Sequence, residues 1–455
     1  MVCWRKYLMT RKMKDSGVEW IGDIPEDWKV KTLKRAFSDR AGGAWGEEAK
    51  GDENDRICIR IADFDYSKLK IKTEIEFTKR NYNTDVIRRL ELKQGDILVE
   101  KSGGGETTPV GRTILYDLPM NALYANFMDR LRVHKNNFPK FIEYVLVAFY
   151  QQGITKQYIK QTTGIQNLDL TSMLADEQIV LPQQQKQKAI ADYLDNKCNK
   201  IDQTIEKEKQ VIEKLKEYKQ SVITEAVTKG LNPDVKMKDS GVEWIGEIPE
   251  HWKVMKVKHL CNLNGRIGWQ GLTSAEYKEE GPYLITGTDF KNGLIDWNTC
   301  VHITEERYDE AKQIQIKNGD LLITKDGTIG KVAIVSTLDG KASLNGGILL
   351  IRPIKTNTYI TRFMYYILLS RAFWMWFEST KTGNSTIIHL YQEKFKEFSY
   401  TLPLIEEQQE IADYLDKKCS AIDKLISNKE KVIDKLTEYK KSLIYECVTG
   451  KREVQ

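Results

Sequence analysis

The sequence lacks any uncharged apolar run approaching the roughly 20 residues that a bilayer-spanning helix requires. Its most apolar segment, residues 363–377, is interrupted by Arg371, so we interpret it as part of a buried helix over 360–377. The N-terminal residues carry basic side chains in place of the apolar core of a secretion signal. These absences exclude a membrane protein and predict a cytoplasmic one.

Metal-binding and disulfide patterns are also missing. The seven cysteines form no CxxC pair and are odd in number, which argues against a zinc site and against a disulfide framework. The five histidines show no HExxH spacing or similar metal-ligand pattern. We therefore expect buried thiols, no metal site, and no cofactor bound by this chain.

Catalytic motifs are absent as well. There is no Gly-x-x-x-x-Gly-Lys-Ser/Thr phosphate loop, which excludes an ATP-driven motor, and no Asn/Asp-Pro-Pro-aromatic tetrapeptide of an amino-methyltransferase. Glu-x-Lys fragments at 217–219 and 438–440 resemble part of a nuclease motif, but both lie in densely charged helical segments. We predict that the chain is not an enzyme.

The charge balance is nearly even, because 70 Lys and Arg residues oppose 65 Asp and Glu residues and leave a net charge of +5. A protein that coats nucleic acid is usually more basic than this. Any DNA-binding surface is therefore expected to be local. With 455 residues, the chain is also too long for one ordinary domain.

What the sequence does contain is an internal duplication. KDSGVEWIGDIPEDWKV at 14–30 returns as KDSGVEWIGEIPEHWKV at 238–254, with 15 of 17 positions identical. Residues 182–228 match 403–449 without gaps at 25 of 47 positions. Between these matched segments the two copies diverge almost completely. The chain therefore consists of two copies of one plan, whose opening and closing segments are similar and whose central regions differ.

The closing segments have the pattern of long amphipathic helices. Their apolar residues recur at steps of three, four or seven and are surrounded by mixed charge. A helix of about 45 residues would be roughly 65 to 70 Å long, and such a helix needs a partner for its apolar face. The only other one in this chain is its own copy. The predicted contact residues of the resulting coiled coil are Ile190, Leu194, Ile201, Ile205, Ile212, Leu215, Ile411, Leu415, Ile422, Ile426, Ile433 and Leu436.

The divergent regions combine short apolar runs bounded by glycine, typical of buried strands, with short helices. We predict an α+β fold with two α+β recognition domains, separated by two long helices that form an antiparallel coiled coil, and with an internal pseudo-twofold repeat. The predicted boundaries are an N-terminal extension (1–13), domain 1 (14–182), helix 1 (183–230), a linker (231–237), domain 2 (238–403), helix 2 (404–450) and a tail (451–455).

Side chains suited to nucleic acid lie in several loops of the divergent regions. Base edges are contacted by Arg, Lys, Asn and Gln, and phosphates by Lys, Arg and backbone amides. The loops KSGGG at 101–105 and KDGT at 325–328 occupy equivalent places in the two copies, although a plain hairpin turn would explain each equally well. RIGWQG at 266–271 is a candidate groove loop, and we take RAGGAW at 40–45 as its counterpart.

The predicted DNA-contacting residues come from these loops and from nearby polar positions. They are Arg40, Trp45, Arg60, Lys101, Ser102, Gly103, Arg112, Gln166, Asn167, Arg266, Trp269, Gln270, Lys325, Asp326, Thr328, Lys331, Asn345 and His389. The repeated tryptophans Trp20, Trp28, Trp244 and Trp252 are interpreted as core or interface residues instead.

The GVEWIGxIPExWKV openings, the two variable regions and the Leu-Pro, Ile-Ala-x-Tyr-Leu-Asp and long-helix segments resemble the specificity subunit of a Type I restriction-modification enzyme. The resemblance covers the chain from about Met13 onward. It implies that each variable region reads one half of a bipartite double-stranded DNA target. It also implies that the helices set the spacing and dock two modification subunits, to which restriction subunits are added.

The function implied is to direct adenine methylation and restriction by those partner subunits. S-adenosylmethionine, ATP and Mg are then expected in the partners. Two alternatives stay open at this point: a coiled-coil scaffold that binds other proteins, and an unrecognised nuclease.

Overall fold

A computed structural model describes residues 11–161, 164–266, 268, 271–381 and 389–454. The chain divides into two compact units. The first unit comprises the described residues up to Lys209 together with those from Glu430 onward, and the second unit is Gln210–Lys429. No helix in the described part of the chain is both long enough and apolar enough to cross a membrane.

The first unit is built mainly of short strands. Its strands are Met13–Asp15, Asp23–Pro25, Lys29–Thr32, Phe37–Gly42, Glu47–Glu48, Asp55–Ile59, Phe64–Asp65, Lys70–Ile71, Lys79–Asn81, Asp96–Glu100, Ser102–Gly103, Thr113–Leu115, Ala122–Tyr124, Met128–Val133, Ile159–Gln161, Gln166–Leu168 and Gln178–Leu181. Its α-helices, besides the long ones, are Thr84–Leu90, Pro139–Gln151 and Leu170–Asp176, and its 3-10 turns are Leu33–Ala36, Ile61–Asp63 and Ile154–Tyr158.

The second unit follows the same plan. Its strands are Met237–Asp239, Glu247–Pro249, Lys253–Lys256, Cys261–Gly265, Lys278–Ile285, Phe290–Lys291, Leu294–Ile295, Val301–His302, Leu321–Thr324, Val332–Ile334, Ala342–Leu344, Ile348–Pro353 and Ser399–Leu402. Its short helices and turns are Val257–Leu260, Ser274–Glu276, Trp297–Thr299, Glu305–Asp309, Lys312–Ile314, Thr361–Leu369, Arg371–Ser379 and Gln392–Phe395.

Each unit has a four-stranded antiparallel sheet with an inner strand, Asp96–Glu100 or Leu321–Thr324, that is buried on both faces. In the first unit, Ile97 and Val99 belong to the core formed with the helix Pro139–Gln151, whereas Leu98, between them, belongs to the core of a second sheet. In the second unit, Leu321 and Ile323 likewise belong to one core, and Leu322, between them, belongs to another. A strand that is covered on both faces requires a continuous apolar run, which is why these strands were visible in the sequence.

The two long helices are Gln184–Lys229 and Ile405–Val448, and each contributes part of its length to each unit. In the first unit, Lys440 pairs with Asp202 at 2.7 Å, and Lys186 donates to the carbonyl of Val454. From Asp202 to Lys186 the residue numbers of the first helix decrease, whereas those of the partners, from Lys440 to Val454, increase. The pairing in this unit is therefore antiparallel, as predicted.

The same direction holds in the second unit. Lys219 pairs with Asp423 at 2.7 Å, and eleven residues further along the first helix, Gly230 lies beside Glu407. The two ion pairs are equivalent in the duplication, because Lys219 matches Lys440 and Asp202 matches Asp423. Each pair joins a lysine near the C-terminal end of one helix to an aspartate of the other helix.

The predicted apolar stripe divides into two parts with different partners. Its outer residues, such as Ile190, Leu194 and Ile411, Leu415, are buried in the cores of the units together with sheet and hairpin residues. The inner residues Ile205, Leu215, Ile426, Ile433 and Leu436 are only partly buried, whereas Ile212 is buried. Only the inner part is thus a simple helix pair, and the outer parts complete the domain cores.

The opening hairpin of each copy packs against the end of the other copy's long helix. In the first unit, Trp28 is buried and a Cβ added to Gly450 would lie 3.1 Å from its ring. In the second unit, Trp252 is buried and a Cβ added to Gly230 would lie 3.2 Å from its ring. The tryptophans are core residues, as interpreted from the sequence, and each core therefore combines segments from both copies.

One predicted helix is two helices. Residues 360–377 form Thr361–Leu369 and Arg371–Ser379, separated at Ser370. The Ser370 backbone is extended, and its hydroxyl accepts a hydrogen bond from the N–H of Phe373, which starts a new helix. The six described cysteines are buried, as expected; Cys3 lies outside the described residues.

Replacing Gly450 should destabilise the first unit more than replacing a glycine with open space around it. Gly450 has a φ of +75°, and an added Cβ would lie 2.6 Å from Pro25 Cδ. We expect Gly450→Ala to lower the free energy of unfolding by about 1–2 kcal/mol through backbone strain and by about 1–3 kcal/mol more through overpacking. Urea unfolding of the full chain measures the loss.

Gly17→Ala is the matched control, because Gly17 has a φ of +71° and no atom within 4 Å of an added Cβ. It should show only the loss of about 1–2 kcal/mol from strain. Equal losses in the two variants would show that the contact between hairpin and helix end is not tight.

Candidate DNA interface

Loops from several strands meet at one edge of the first unit. The Lys101 N–H donates to the Phe127 carbonyl at 2.9 Å, and the Lys101 carbonyl accepts from the N–H of Leu168 at 2.8 Å. The Ala125 N–H donates to the carbonyl of Ile59 at 3.0 Å. These backbone bonds bring together residues 40–45, 60–63, 101–105, 125–127 and 164–167, which we call the first loop surface.

The second unit repeats these backbone bonds at equivalent positions. The Lys325 N–H donates to Gly347 at 2.8 Å, and its carbonyl accepts from Leu390 at 2.9 Å. The Asn345 N–H donates to Ile285 at 2.9 Å. Residues 286–289, 325–331, 345–347 and 389–391 form the second loop surface. The predicted equivalence of the loops at Lys101 and Lys325 is thus confirmed by their hydrogen bonding.

An ion pair between an arginine and a buried aspartate joins two strands of the sheet in each unit, and sequence reasoning missed it. Arg132 Nε and Nη2 donate to the two oxygens of Asp96 at 2.9 and 2.8 Å. In the second unit, Arg352 Nε donates to Asp320 at 2.7 Å in the same manner. Each aspartate lies in the matched Gly-Asp dipeptide at 95–96 or 319–320, which was the available signal.

Asp129 organises two of the predicted cations of the first loop surface. Its carboxylate is buried; Oδ2 accepts from Arg40 Nε at 2.6 Å, and Oδ1 lies 2.7 Å from Lys101 Nζ in an ion pair. A Cβ at Gly42 would lie 3.2 Å from Lys101 Nζ, so glycine leaves room for this ammonium group. Arg40 also donates to the Thr171 hydroxyl at 2.8 Å. About a third of each cationic side chain remains exposed.

The second loop surface has no carboxylate at the position equivalent to Asp129. The strand register places Leu349 where the first unit has Asp129, because Asp129 pairs with Gly42 and Leu349 pairs with Gly265. Among the described residues, Lys325 forms no ion pair. The two equivalent lysines therefore differ electrostatically: the charge of Lys101 is largely compensated and that of Lys325 is not.

Arg112 and Lys331 also occupy equivalent positions. The Arg112 carbonyl accepts from the Glu100 N–H, and the Lys331 carbonyl accepts from the Thr324 N–H, each at 2.9 Å. Arg112 donates to both Glu100 oxygens, at 2.8 and 3.2 Å, and lies 3.9 Å from the centre of the Tyr66 ring. Burial alone would lower the pKa of Arg112, but the hydrogen bonds and charges around it raise the pKa.

Arg112 is therefore held in a fixed position by the protein. Lys331 makes weaker contacts, because within the described ranges its Nζ donates only to the Gly287 carbonyl, at 3.2 Å.

Other predicted residues of the first loop surface lie at its rim. Arg60 Nη2 pairs with the buried Asp63 at 3.0 Å. Trp45 is 41% exposed, and the guanidinium of Arg80 lies 4.8 Å from its ring centre. Both side chains are accessible to a ligand.

Ser102 and Asn167 face each other across two paired strands, and Gly103 pairs with Gln166 in the same way. The Ser102 hydroxyl donates to Asn167 Oδ1 at 2.6 Å. Asn167 is exposed, whereas Gln166 is buried and accepts from the Val110 N–H at 3.2 Å. Gln166 thus supports the loop, and Asn167 is the residue of this strand that faces solvent.

The second loop surface presents a different set of side chains. His389 Nδ1 lies 2.5 Å from Asp326 Oδ1, and both side chains are more than a third exposed. Thr328 is exposed, and its carbonyl accepts from the Thr324 hydroxyl at 2.5 Å. Asn345 is half-buried and donates to the Tyr277 hydroxyl at 3.3 Å. These four residues, which the sequence predicts to contact DNA, belong to the second loop surface.

Arg266 is placed differently from expectation. Its side chain is buried, with Nε donating to the Leu344 carbonyl at 2.8 Å and Nη2 donating to the Ser343 hydroxyl at 3.1 Å. Burial, together with the nearby charge of Arg307, lowers the pKa of Arg266. In this conformation Arg266 supports a strand and does not face a groove. Trp269 and Gln270 lie outside the described residues.

The proposed correspondence between 40–45 and 266–271 was wrong in register. Gly42 and Gly265 occupy equivalent sheet positions, so Arg266 corresponds to Gly43 and Arg40 corresponds to Leu263. Comparison by similar letters aligned the two arginines, whereas the hydrogen-bond register separates them by three residues.

Two exposed aromatic residues were missed. Phe127 is 49% exposed at the turn whose carbonyl binds Lys101, and Tyr391 is 57% exposed beside His389. No sequence pattern distinguishes them from core aromatics. Within the described ranges, no three His, Cys, Asp or Glu side chains are grouped so that they could hold a metal ion. The surfaces offer hydrogen-bonding, cationic and stacking groups, which suit recognition.

Comparison with known proteins points the same way. The family model for the Type I restriction modification DNA specificity domain matches the chain twice, at residues 25–217 and 249–437. A putative type I restriction enzyme specificity subunit, MjaX of Methanocaldococcus jannaschii, is 28% identical over 444 residues, covering 96% of each chain. The EcoBI specificity subunit of Escherichia coli is 24% identical over 384 residues, covering 80% of this chain and 79% of that subunit.

Solved structures share the fold. A chain from a type I R-M system, studied for its complex assembly and conformational transition, has a TM-score of 0.71 at 14% identity and covers 94% of this chain and 99% of its own length. The HsdS subunit from Thermoanaerobacter tengcongensis has a TM-score of 0.52 at 14% identity, with coverage of 94% and 98%.

The two equivalent lysines should affect the salt dependence of DNA binding differently. A phosphate contact by a free cation adds about one unit to the slope of log K against log salt concentration. We expect Lys325→Ala to reduce the slope by about one unit. Lys101→Ala should reduce it clearly less, because Asp129 already compensates the charge of Lys101.

Asp129→Asn is the matched control, since it keeps the shape of the side chain and releases Arg40 and Lys101. It should steepen the slope of log K against log salt concentration, because both cations are then free to contact phosphates. Binding titrations at several salt concentrations measure all three effects, and equal changes for the two lysine variants would contradict the assignment.

Proposed function

The chain belongs to the Type I restriction modification DNA specificity family, and from that premise we propose that it reads a bipartite DNA target and directs adenine methylation and restriction by partner subunits. Each unit reads one half of the target through its loop surface. The observation that carries this proposal is the pair of loop surfaces, which share backbone hydrogen bonds and differ in side chains.

Shared backbone and different side chains are what a reader of two unlike half-sites requires. The bonds at Lys101 and Lys325 fix each loop at the same place relative to its sheet. The exposed groups around them, Asn167 in one case and His389 with Asp326 in the other, offer different hydrogen-bonding patterns. Base edges in the major groove differ in their donors and acceptors, so different loops select different bases.

The partners are two modification subunits and additional restriction subunits, as the resemblance implies. S-adenosylmethionine, ATP and Mg are bound by these partners and not by this chain, which works in the cytoplasm. This division of labour agrees with the absence of methyltransferase and phosphate-loop motifs from the sequence. The chain then contributes recognition, and the partners contribute chemistry.

The long helices offer a second apolar stripe for these partners. Val211 and Tyr218 are 39% and 48% exposed in the second unit, and their counterparts in the duplication, Val432 and Tyr439, are 39% and 40% exposed in the first. Exposed apolar residues at a repeated spacing of seven form one helix face. Because the stripe occurs once in each unit, it supports the binding of two identical modification subunits.

Selection from a random DNA pool tests the proposed function. The full chain with its co-expressed modification subunits should enrich duplexes that carry two short fixed sequences separated by a spacer of constant length. Enrichment without such a motif would contradict the proposal and favour a protein-binding scaffold. Metal-dependent cutting by the isolated chain would favour a nuclease instead.

The length of the long helices should determine the length of the DNA spacer. We expect that inserting four residues between Lys209 and Gln210, and four between Lys429 and Glu430, lengthens the spacer by roughly two base pairs. Four helical residues add about 6 Å, and a base pair rises about 3.4 Å. Both insertions lie at the boundaries of the units and leave the interior of each unchanged.

The enriched motif of the double insertion variant gives the measurement. Its two fixed sequences should stay the same while the spacer changes. A spacer of unchanged length would show that the helices do not set the spacing. A variant with only one insertion serves as control and should bind weakly, because it disturbs the register of the helix pair.

A further inference from the structure

One pair of side chains occupies equivalent positions on both loop surfaces but differs in chemistry. Lys101 and Lys325 have equivalent hydrogen bonds, so the next residues, Ser102 and Asp326, are equivalent as well. Leu168 and Leu390 donate to these lysine carbonyls. The residues before the two leucines, Asn167 and His389, therefore also correspond.

In both units the two positions are hydrogen-bonded to each other. The Ser102 hydroxyl donates to Asn167 Oδ1 at 2.6 Å, and His389 Nδ1 lies 2.5 Å from Asp326 Oδ1. The two partners come from segments far apart in the sequence, since their residue numbers differ by 65 in the first pair and by 63 in the second. Such a bond restricts the rotamers of both side chains at a partly exposed surface.

The backbone beneath the first of these pairs is also held in place. Ser102 and Asn167 are cross-strand neighbours, and the strand of Asn167 is paired on its other side with Ile159–Gln161. The side chains are therefore oriented before any ligand arrives, which lowers the entropic cost of binding. A rigid polar pair of this kind is suited to discriminate between hydrogen-bonding patterns.

We propose that this pair of positions determines one base pair in each half-site. The proposal rests on the proposed function and names the residues that make the two half-sites differ. Ser102 and Asn167 form the first specificity pair, and Asp326 and His389 form the second.

The first specificity pair is complementary to adenine. With Oδ1 accepting from Ser102, Asn167 keeps its two amide N–H donors and the second lone pair of Oδ1. One donor and one acceptor on an amide match N7 and the N6 amino group of adenine in the major groove. Ser102 holds the amide in the orientation that such a two-point contact needs.

The second specificity pair presents a carboxylate acceptor. When Nδ1–H of His389 donates to Asp326 Oδ1, the carboxylate oxygen Oδ2 stays available as an acceptor. A carboxylate selects the N4 amino group of cytosine in the major groove. The two half-sites are thus expected to differ at this position, with an A·T pair in one and a C·G pair in the other.

Exchanging the pairs between the units provides the test. We would prepare Ser102→Asp with Asn167→His, and Asp326→Ser with His389→Asn, each in the full chain with its modification subunits. Selection from the random DNA pool should show that each double variant changes one base position in one half-site. The preference should shift roughly ten- to a hundredfold, the range expected for one two-point contact. The other half-site should be unchanged.

Two exposed ion pairs away from the loop surfaces provide matched controls. Asp85→Ser with Arg88→Asn changes the Asp85–Arg88 pair of the first unit, and Glu305→Ser with Lys341→Asn changes the Glu305–Lys341 pair of the second. Both controls should leave the target unaltered. Thermal unfolding should show that the exchange variants and the controls remain folded.

The possible failures can be distinguished. If the unmodified chain enriches no bipartite motif, the proposed function is wrong. If it enriches one and folded exchange variants enrich the same one, the pairs do not determine a base. For an exchange variant that does not fold, Asn167→Gln or His389→Gln replaces it, and unchanged preference at every base in the folded variant would equally overturn the inference.

Discussion

Neither unit can complete its core without a helix that belongs to the other copy of the duplication. In the first unit, Trp28 packs against the end of the second long helix at Gly450, and in the second unit, Trp252 packs against the end of the first at Gly230. Removing either helix end would leave a buried tryptophan and a hairpin without their contact surface. This exchange explains why identity between the copies is concentrated in the opening hairpins and the long helices: each hairpin must fit the other copy's helix.

The parts of the fold that follow regular periodicity could be predicted from the sequence. The long helices were recognisable because their apolar residues recur on one face over more than forty residues. The central strands were recognisable because burial on both faces requires an unbroken apolar run. The break between two helices at Ser370 was not recognisable, because both helices are apolar and the Ser370 hydroxyl caps a helix only when its backbone is extended. Nor did periodicity show that the outer parts of the long helices serve the domain cores.

The candidate site could be predicted in its position but only partly in its residues. The loops KSGGG at 101–105 and KDGT at 325–328 occupy equivalent places in the two copies, and this equivalence located Lys101 and Lys325. The contrast between these lysines depends on Asp129, which is 28 residues away in the sequence and reaches Lys101 through strand pairing. Arg266 shows a different limit of sequence reasoning. A loop arginine looks like a DNA contact in the sequence whether its guanidinium is solvated or bound to a buried carbonyl and a buried hydroxyl.

The separation of scaffold from recognition follows from which atoms make the structural hydrogen bonds. The loops at Lys101 and Lys325 are attached by backbone N–H and carbonyl groups, which every residue other than proline possesses. The side chains of Ser102, Asn167, Asp326 and His389 are therefore not required to hold the loops in place. The ion pairs of Asp96 and Asp320, which join strands of the two sheets, use the same residue in both units. A fold of this kind can change the exposed groups of one unit without disturbing the other, which is the physical basis for the proposal that one chain reads two unlike half-sites.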